Sequence, residues 1–207
     1  MTHTHNPFPM PTPFEKSLLA ELVKVATVCY ERGWSWGTAG NFSIRGRHSL
    51  LWQSPTGLCK GELRADLFIP VDLNSEKPVE PWTQRPSAEM PVHAGIYKTV
   101  GRAKCVVHTH PPNAVRASRG QTSLTFENEE MAKALGTKCH TEKLHIPILP
   151  NGTPEEMIHY SSRIKDGIGD TAKLLILEGH GVWAWGQTPM EALAYIEALE
   201  FLCKPKS

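Results

Sequence analysis

The 207-residue chain has no apolar run near the roughly 18 residues of a membrane span, and its opening MTHTHNPFPMPTPF lacks both the charged and the apolar region of a signal peptide. These absences predict a cytoplasmic protein. Its five cysteines (Cys29, Cys59, Cys105, Cys139, Cys203) are odd in number, far apart and without a CxxC, which argues against a disulfide framework or a thiolate zinc site. Charge of either sign is not in excess: 22 Lys and Arg face 21 Asp and Glu, for a net +1. No basic footprint for nucleic acid or an anionic membrane follows, so small molecules or other proteins are the expected partners. There is no internal repeat, no low-complexity tract and no long linker. Neither a GxGxxG nor a Walker motif occurs, so a nucleotide is not indicated.

What remains is enough apolar sequence, 40% of residues, to bury one core without help. Residues 1–13, rich in proline, read as a flexible arm, and 14–207 as one domain. Three segments share a helix-start signal: Thr12-Pro13-Phe14-Glu15, Thr153-Pro154-Glu155-Glu156 and Thr188-Pro189-Met190-Glu191. In each, Thr caps an orphan N–H, Pro sits where its missing N–H costs nothing, and Glu reaches back. The first helix carries Leu18, Leu19, Leu22, Val23, Ala26, Cys29 and Tyr30 as a stripe and stops at Gly33; the last carries Ala192, Ile196, Leu199 and Leu202. A further helix spans 89–97, with Pro91 in its first turn, and short ones follow Pro111 and Asn128. Strand-like runs fall at 42–45, 50–53, 67–71, 104–108, 146–149, 174–177 and 182–185, while 73–86 reads as a surface loop. Hairpin-like pairs at 42–53 and 174–185 favour a largely antiparallel sheet covered by helices over a doubly wound parallel one.

His-Thr-His occurs twice. His3 and His5 sit in the arm, where nothing holds them together. In CVVHTHPP, His108 and His110 end a strand, whose period of two sends both imidazoles to one face. His180, between Gly179 and Gly181 at the tip of a hairpin, supplies a third imidazole. Three neutral imidazoles with an open position are the pattern of a catalytic zinc, although other first-row metals also bind imidazole. His3, His5, His48, His93, His140, His145 and His159 have no such setting. Glu89 falls at a helix start and Glu127, Glu129 and Glu130 cluster in TFENEEM; a helix-start Glu is ordinarily dipole electrostatics, but a nearby metal changes that. GWSWGTAGNFSIR and SPTG are glycine-rich loops beside strands. Gly37 and Gly40 allow backbone N–H groups to turn inward, and Thr38, Asn41, Thr56 and Ser87 could bond an anion such as phosphate.

Taken in order, GTAGNFSIR, SPTG, PSAE, VVHTHPP and EGHGVWAWG resemble the class II aldolase/adducin superfamily, from about Leu18 to Leu202. The resemblance implies an α/β fold of three layers, α/β/α, with a largely antiparallel central sheet flanked by helices. It implies one divalent metal per subunit, usually zinc, on His108, His110 and His180, and Glu89 as a metal ligand or acid/base group. It maps phosphate binding onto Thr38, Gly40, Asn41, Thr56, Gly57 and Ser87, with Ala88 replacing a second serine of the family pattern. It also implies a homotetramer. Within the superfamily, GWSWGTAGNFS, SPTGLCKGEL, PSAEMPVHAGIY, ENEEMAKALG and IPILPN are most similar to its sugar-phosphate dehydratases, lyases whose implied substrate is a methylthio-substituted ribulose phosphate of methionine salvage. There the Glu before Met is the acid/base, here Glu130, with Glu129 adjacent. Trp34, Trp36 and Met90 are candidates to meet the methylthio group. A sugar-phosphate aldolase or a ribulose-phosphate 4-epimerase would share the metal triad; a non-catalytic adducin-like domain would not need it.

Overall fold

Thr12 caps the first helix as its signal predicts. Its hydroxyl accepts from the Glu15 N–H at 3.2 Å and the Glu15 carboxylate accepts from the Thr12 N–H at 2.6 Å, closing a capping box on α1 (Pro13–Glu31). The computed structural model describes residues 9–153, 156, 159–168 and 173–205, apart from the side chains of 163 and 165–167. His3 and His5 therefore lie outside the described residues. α1 buries Leu18, Leu19, Leu22, Val25, Ala26 and Cys29; Val25 takes the place expected of Val23, because the 18-22-25-29 spacing keeps closer to the helical period. The Thr188 hydroxyl opens α5 (Pro189–Leu202) by accepting from Glu191 N at 3.2 Å, but the Glu191 carboxylate reaches past Thr188 to accept from Gln187 N at 2.6 Å, so the expected box is only half made. At the third signal Thr153 and Glu156 exchange the same two bonds, while 154–155 and 157–158 lie outside the described residues.

The strands are β1 (Asn41–Arg45), β2 (Leu50–Gln53), β3 (Ile69–Asp72), β4 (Lys77–Pro78), β5 (Cys105–Thr109), β6 (Ser123–Phe126), β7 (Leu144–Leu149), β8 (Leu174–Leu177) and β9 (Gly181–Gly186). They form one sheet in the order β4-β3-β2-β1-β5-β9-β8-β7-β6, and among the described residues every pairing is antiparallel except β7 with β8. Two expectations need correction. Leu67 closes a 3-10 turn, so the strand expected at 67–71 starts at Ile69. The loop expected at 73–86 contains β4, where Pro78 is tolerated because an edge strand leaves one side of its backbone unpaired.

Side-chain alternation divides the core into two layers. Phe42, Ile44, Cys105, Val107, Val182 and Ala184 pack against α1 and α5, with Ala114 of α3 (Pro112–Ser118). Leu51, Val71, Val106, Leu175, Leu177, Trp183 and Trp185 pack on the opposite face against α2 (Met90–Thr99) and α4 (Tyr160–Gly167). The result is the three-layer α/β/α arrangement, with apolar burial on both faces as the main stabilising term. Among the described residues no helix is long and apolar enough to cross a membrane.

Candidate active site

β5, β8 and β7 run in the same direction, so all three end at one margin of the sheet; β2 also ends there, and β1 and β9 begin there. Residues just inside or beyond those ends are thereby gathered. β5 contributes His108 and His110, the β8–β9 turn His180, the start of β1 Asn41 and the segment after β7 Asn151. His108 shares the α2-facing side of β5 with Val106 and is fully buried. Potential ligand atoms of His108, His110 and His180 lie within 4.8 Å of one another.

Each ring is oriented by a specific partner. His108 Nδ1–H donates to the Val182 carbonyl at 3.0 Å, which leaves the lone pair on Nε2. That Nε2 lies 3.2 Å from Glu89 Oε2 but makes no hydrogen bond, and Nδ1 of His110 is likewise buried without a partner. His180 Nδ1 bonds Asn151 Oδ1 at 3.0 Å, and its Nε2 lies 2.8 Å from Glu89 Oε1. Two unpartnered buried imidazole nitrogens, a third ring fixed by an amide and a facing carboxylate fit a divalent metal. Burial, reinforced by the nearness of His108 and His180, pushes His110 down to about 3, so it is neutral as a ligand must be. Burial works to raise the Glu89 carboxyl, but His108 and His180 together hold it far below the ordinary carboxylate range.

Local backbone permits this convergence. Gly179 has φ +61°, as a tight turn needs. Gly181 serves differently from the turn role expected of it: a Cβ there would lie 2.7 Å from His108 Cε1 and 2.8 Å from the Thr109 carbonyl. Gly40, at φ +75°, likewise backs onto β5, where a Cβ would come within 2.9 Å of the His108 carbonyl.

The residues expected to cradle phosphate separate into two groups. Thr38, Thr56 and Gly57 are exposed on two loops; Pro55 pairs with Pro86, which brings SPTG beside Ser87. Asn41 is a correction. It is buried, and Nδ2 donates to Ser87 Oγ at 3.0 Å and to Glu89 Oε2 at 2.5 Å, so neither amide hydrogen remains for an anion. Lys60, which resembles an ordinary surface charge in the sequence, is buried and its Nζ donates to the carbonyls of Thr38 at 3.0 Å and Leu58 at 2.6 Å. It ties the two loops together.

Glu130 is not drawn into the histidine cluster. It opens a 3-10 helix (Glu130–Leu135) seated by buried Ala132 and Leu135, which leaves its side chain 68% exposed and paired with Lys133 and, at 3.3 Å, His140. Trp34 and Met90 are buried in the two core layers, whereas Trp36 is 67% exposed. Sequence reasoning missed His93, Asn151 and Lys60. For His93 a signal existed, since it follows Glu89 by four residues on one helix face.

A predominantly antiparallel α/β/α sandwich with three imidazoles and a carboxylate at one sheet margin defines a class of protein built around a candidate metal centre. The chain belongs to the Class II Aldolase and Adducin N-terminal domain family, whose sequence profile matches residues 20–206. It is 34% identical over 192 residues to the methylthioribulose-1-phosphate dehydratase of Enterobacter sp. (strain 638), covering 89% of this chain and 91% of that one. To the methylthioribulose-1-phosphate dehydratase of Methylococcus capsulatus it is 32% identical over 187 residues, covering 88% and 89%. The fold matches the crystal structure of L-fuculose-1-phosphate aldolase from Thermus thermophilus with a TM-score of 0.72 at 24% identity, over 91% of this chain and 93% of that one.

Proposed function

We propose that the chain is a lyase that dehydrates 5-methylthioribulose 1-phosphate to 5-methylthio-2,3-dioxopentyl phosphate, a step of methionine salvage. The observation that carries this reading is the 34% identity to a dehydratase of that name across nearly the whole of both chains, with the three histidines and Glu89 assembled at one site. His108, His110 and His180 would hold one zinc ion per subunit, with Glu89 facing it. When bound, that ion supplies a Lewis acid for the substrate's vicinal oxygens.

The reaction is a redox-neutral elimination. A base takes the C3 proton, the C4–O bond breaks, the departing hydroxyl leaves as water with a proton from an acid, and the enol tautomerises to the diketone. Glu89, ionised and held beside the histidines, suits a role next to the reacting carbons. Glu130 is assigned the acid/base role by its Glu-Met position in the post-HTH segment. The exposed loops with Thr38, Thr56 and Gly57, with Ser87 beside them and Lys60 tying them from below, suit the phosphate; Gly40 sets the approach of the first loop to β5. Of Trp34, Trp36 and Met90, Trp36 is the one left exposed for the methylthio group. We also propose a cytoplasmic homotetramer.

Purified protein incubated with methylthioribulose 1-phosphate, with and without chelator, tests the reading by following loss of water against release of an aldehyde. Loss of water that stops on chelation is the expected result. Exclusive carbon–carbon cleavage would make the protein an aldolase instead.

A further inference from the structure

Beneath Glu89 lies a second, fully interior set of polar side chains. Glu89 at the N-cap of α2 is followed within the helix by His93 and Tyr97 at intervals of four, and β1 presents Asn41, Ser43 and Arg45 at intervals of two. A helix rises about 6 Å in four residues and a strand about 6.6 Å in two, so the two rows stay in register over three rungs. Asn41, Ser43, His93 and Tyr97 are each 2% exposed or less. Asn41 Nδ2 bonds Glu89 Oε2, Asn41 Oδ1 meets His93 Nε2, His93 Nδ1 lies 2.7 Å from Ser43 Oγ, and Ser43 Oγ lies 2.8 Å from Tyr97 Oη. Arg45 closes the far end, its guanidinium over the Tyr97 ring and its Nη2 donating to the Tyr97 carbonyl.

The direction of every proton in this row follows from the charge of Glu89 and the neutrality that full burial imposes on His93. A carboxylate only accepts, so Asn41 must turn Nδ2 toward Glu89 and Oδ1 toward His93. His93 must then carry its proton on Nε2 and accept on Nδ1. Ser43 must spend its hydroxyl proton on that nitrogen, and Tyr97 must donate to Ser43. From Tyr97 to Glu89 four successive donors point the same way, an arrangement in which each bond polarises the next.

We propose that Tyr97, Ser43, His93 and Asn41 are positioning residues that act on Glu89 as one directed hydrogen-bond row, holding the carboxylate toward His108 and His180. Their action on turnover rests on the role given to Glu89 above; the order of the protons does not.

Long-range 1H–15N spectra of the full chain as isolated test the order directly, with the His93 signals assigned by their loss in His93→Gln. The expected result is a neutral ring protonated at Nε2. A ring protonated at Nδ1, or at both nitrogens, overturns the proposal. Kinetics supply a second reading: Ser43→Ala is expected to lower kcat about tenfold with KM and metal content unchanged. In a Glu89→Gln background the same change is expected to add no loss, and an equal further loss there overturns the coupling. A Glu89→Gln enzyme with undiminished turnover would instead remove the catalytic role of Glu89, while the spectrum still decides the proton order.

Discussion

His108 lies flat against Trp183, their ring centroids 3.6 Å apart and their planes 10° from parallel. The two are cross-strand partners on β5 and β9, so the indole serves as a floor that keeps the imidazole from rotating out of its bond to Val182. Trp183→Ala removes a fully buried side chain and should cost about 3–5 kcal/mol in urea unfolding. It should also weaken metal retention in dialysis, whereas Trp183→Phe, which keeps a ring under His108, should retain most of it. Equal metal retention in both variants would deny the indole this role.

Acid should destabilise the metal-free protein. Burial pushes His93 and His110 down to about 3, against about 6.5 in an unfolded chain. Below about pH 6.5 the unfolded chain therefore binds protons that the folded protein refuses, so stability falls as the pH drops, by at most about 1.4 kcal/mol per pH unit for each histidine. Glu89 has the same sense at lower pH: its contribution is present above the unfolded carboxyl value and is lost as pH falls below it. Urea midpoints of chelated protein should decline between pH 7.5 and 5, and His93→Gln should flatten that decline. A pH-independent midpoint would contradict it.

Gly181→Ala would place a methyl group 2.7 Å from His108 Cε1 and 3.0 Å from His110 Cδ2. The methyl meets fixed rings and the Thr109 carbonyl rather than a mobile side-chain tip. Strand β9 must shift from β5, at a cost of about 1–3 kcal/mol for overpacking. Metal affinity measured by competition with a chromophoric chelator should drop together with thermal stability. A drop in neither would mean that the sheet margin accommodates the methyl.

Lys60→Met should act on the phosphate-side loops. It keeps the buried volume but leaves the Thr38 and Leu58 carbonyls without their donor, a loss of about 1–3 kcal/mol. KM for the sugar phosphate is expected to rise with little change in kcat. An unchanged KM would separate Lys60 from substrate binding.

Glu130→Gln is expected to keep zinc and lose turnover, because the substitution removes a proton-accepting carboxylate that makes no contact with the three histidines. Metal analysis and the dehydration assay on the same preparation check it. Near-normal turnover would move the acid/base role elsewhere, with Glu89 the group already beside the site.

Much of this arrangement was legible in the primary structure because it depends on local rules. Thr-Pro-x-Glu caps are read within four residues, and the strand period of two places His108 and His110 together without tertiary knowledge. Long-range consequences were not legible. Asn41 read as an anion ligand because an amide in a glycine-rich loop is usually free, and nothing local tells that Glu89 and His93 arrive on another element to occupy it. Nothing local marks Lys60 as buried either, because the Thr38 carbonyl that receives it belongs to another loop. Asn151 meets His180 only because β7 and β8 are parallel, a pairing that neither strand announces in its own residues.

The direction of the strands has one more consequence. Since the three histidines sit where β5 and β8 end, the turn at 46–49 between β1 and β2 and the turn at 73–76 between β3 and β4 lie on the opposite rim. Those turns are a handle on the molecule. A peptide tag, a fluorophore or a second protein grafted at 73–76 would stand a full strand length from the three histidines, so the protein can be immobilised or fused by that turn while its histidine margin stays open.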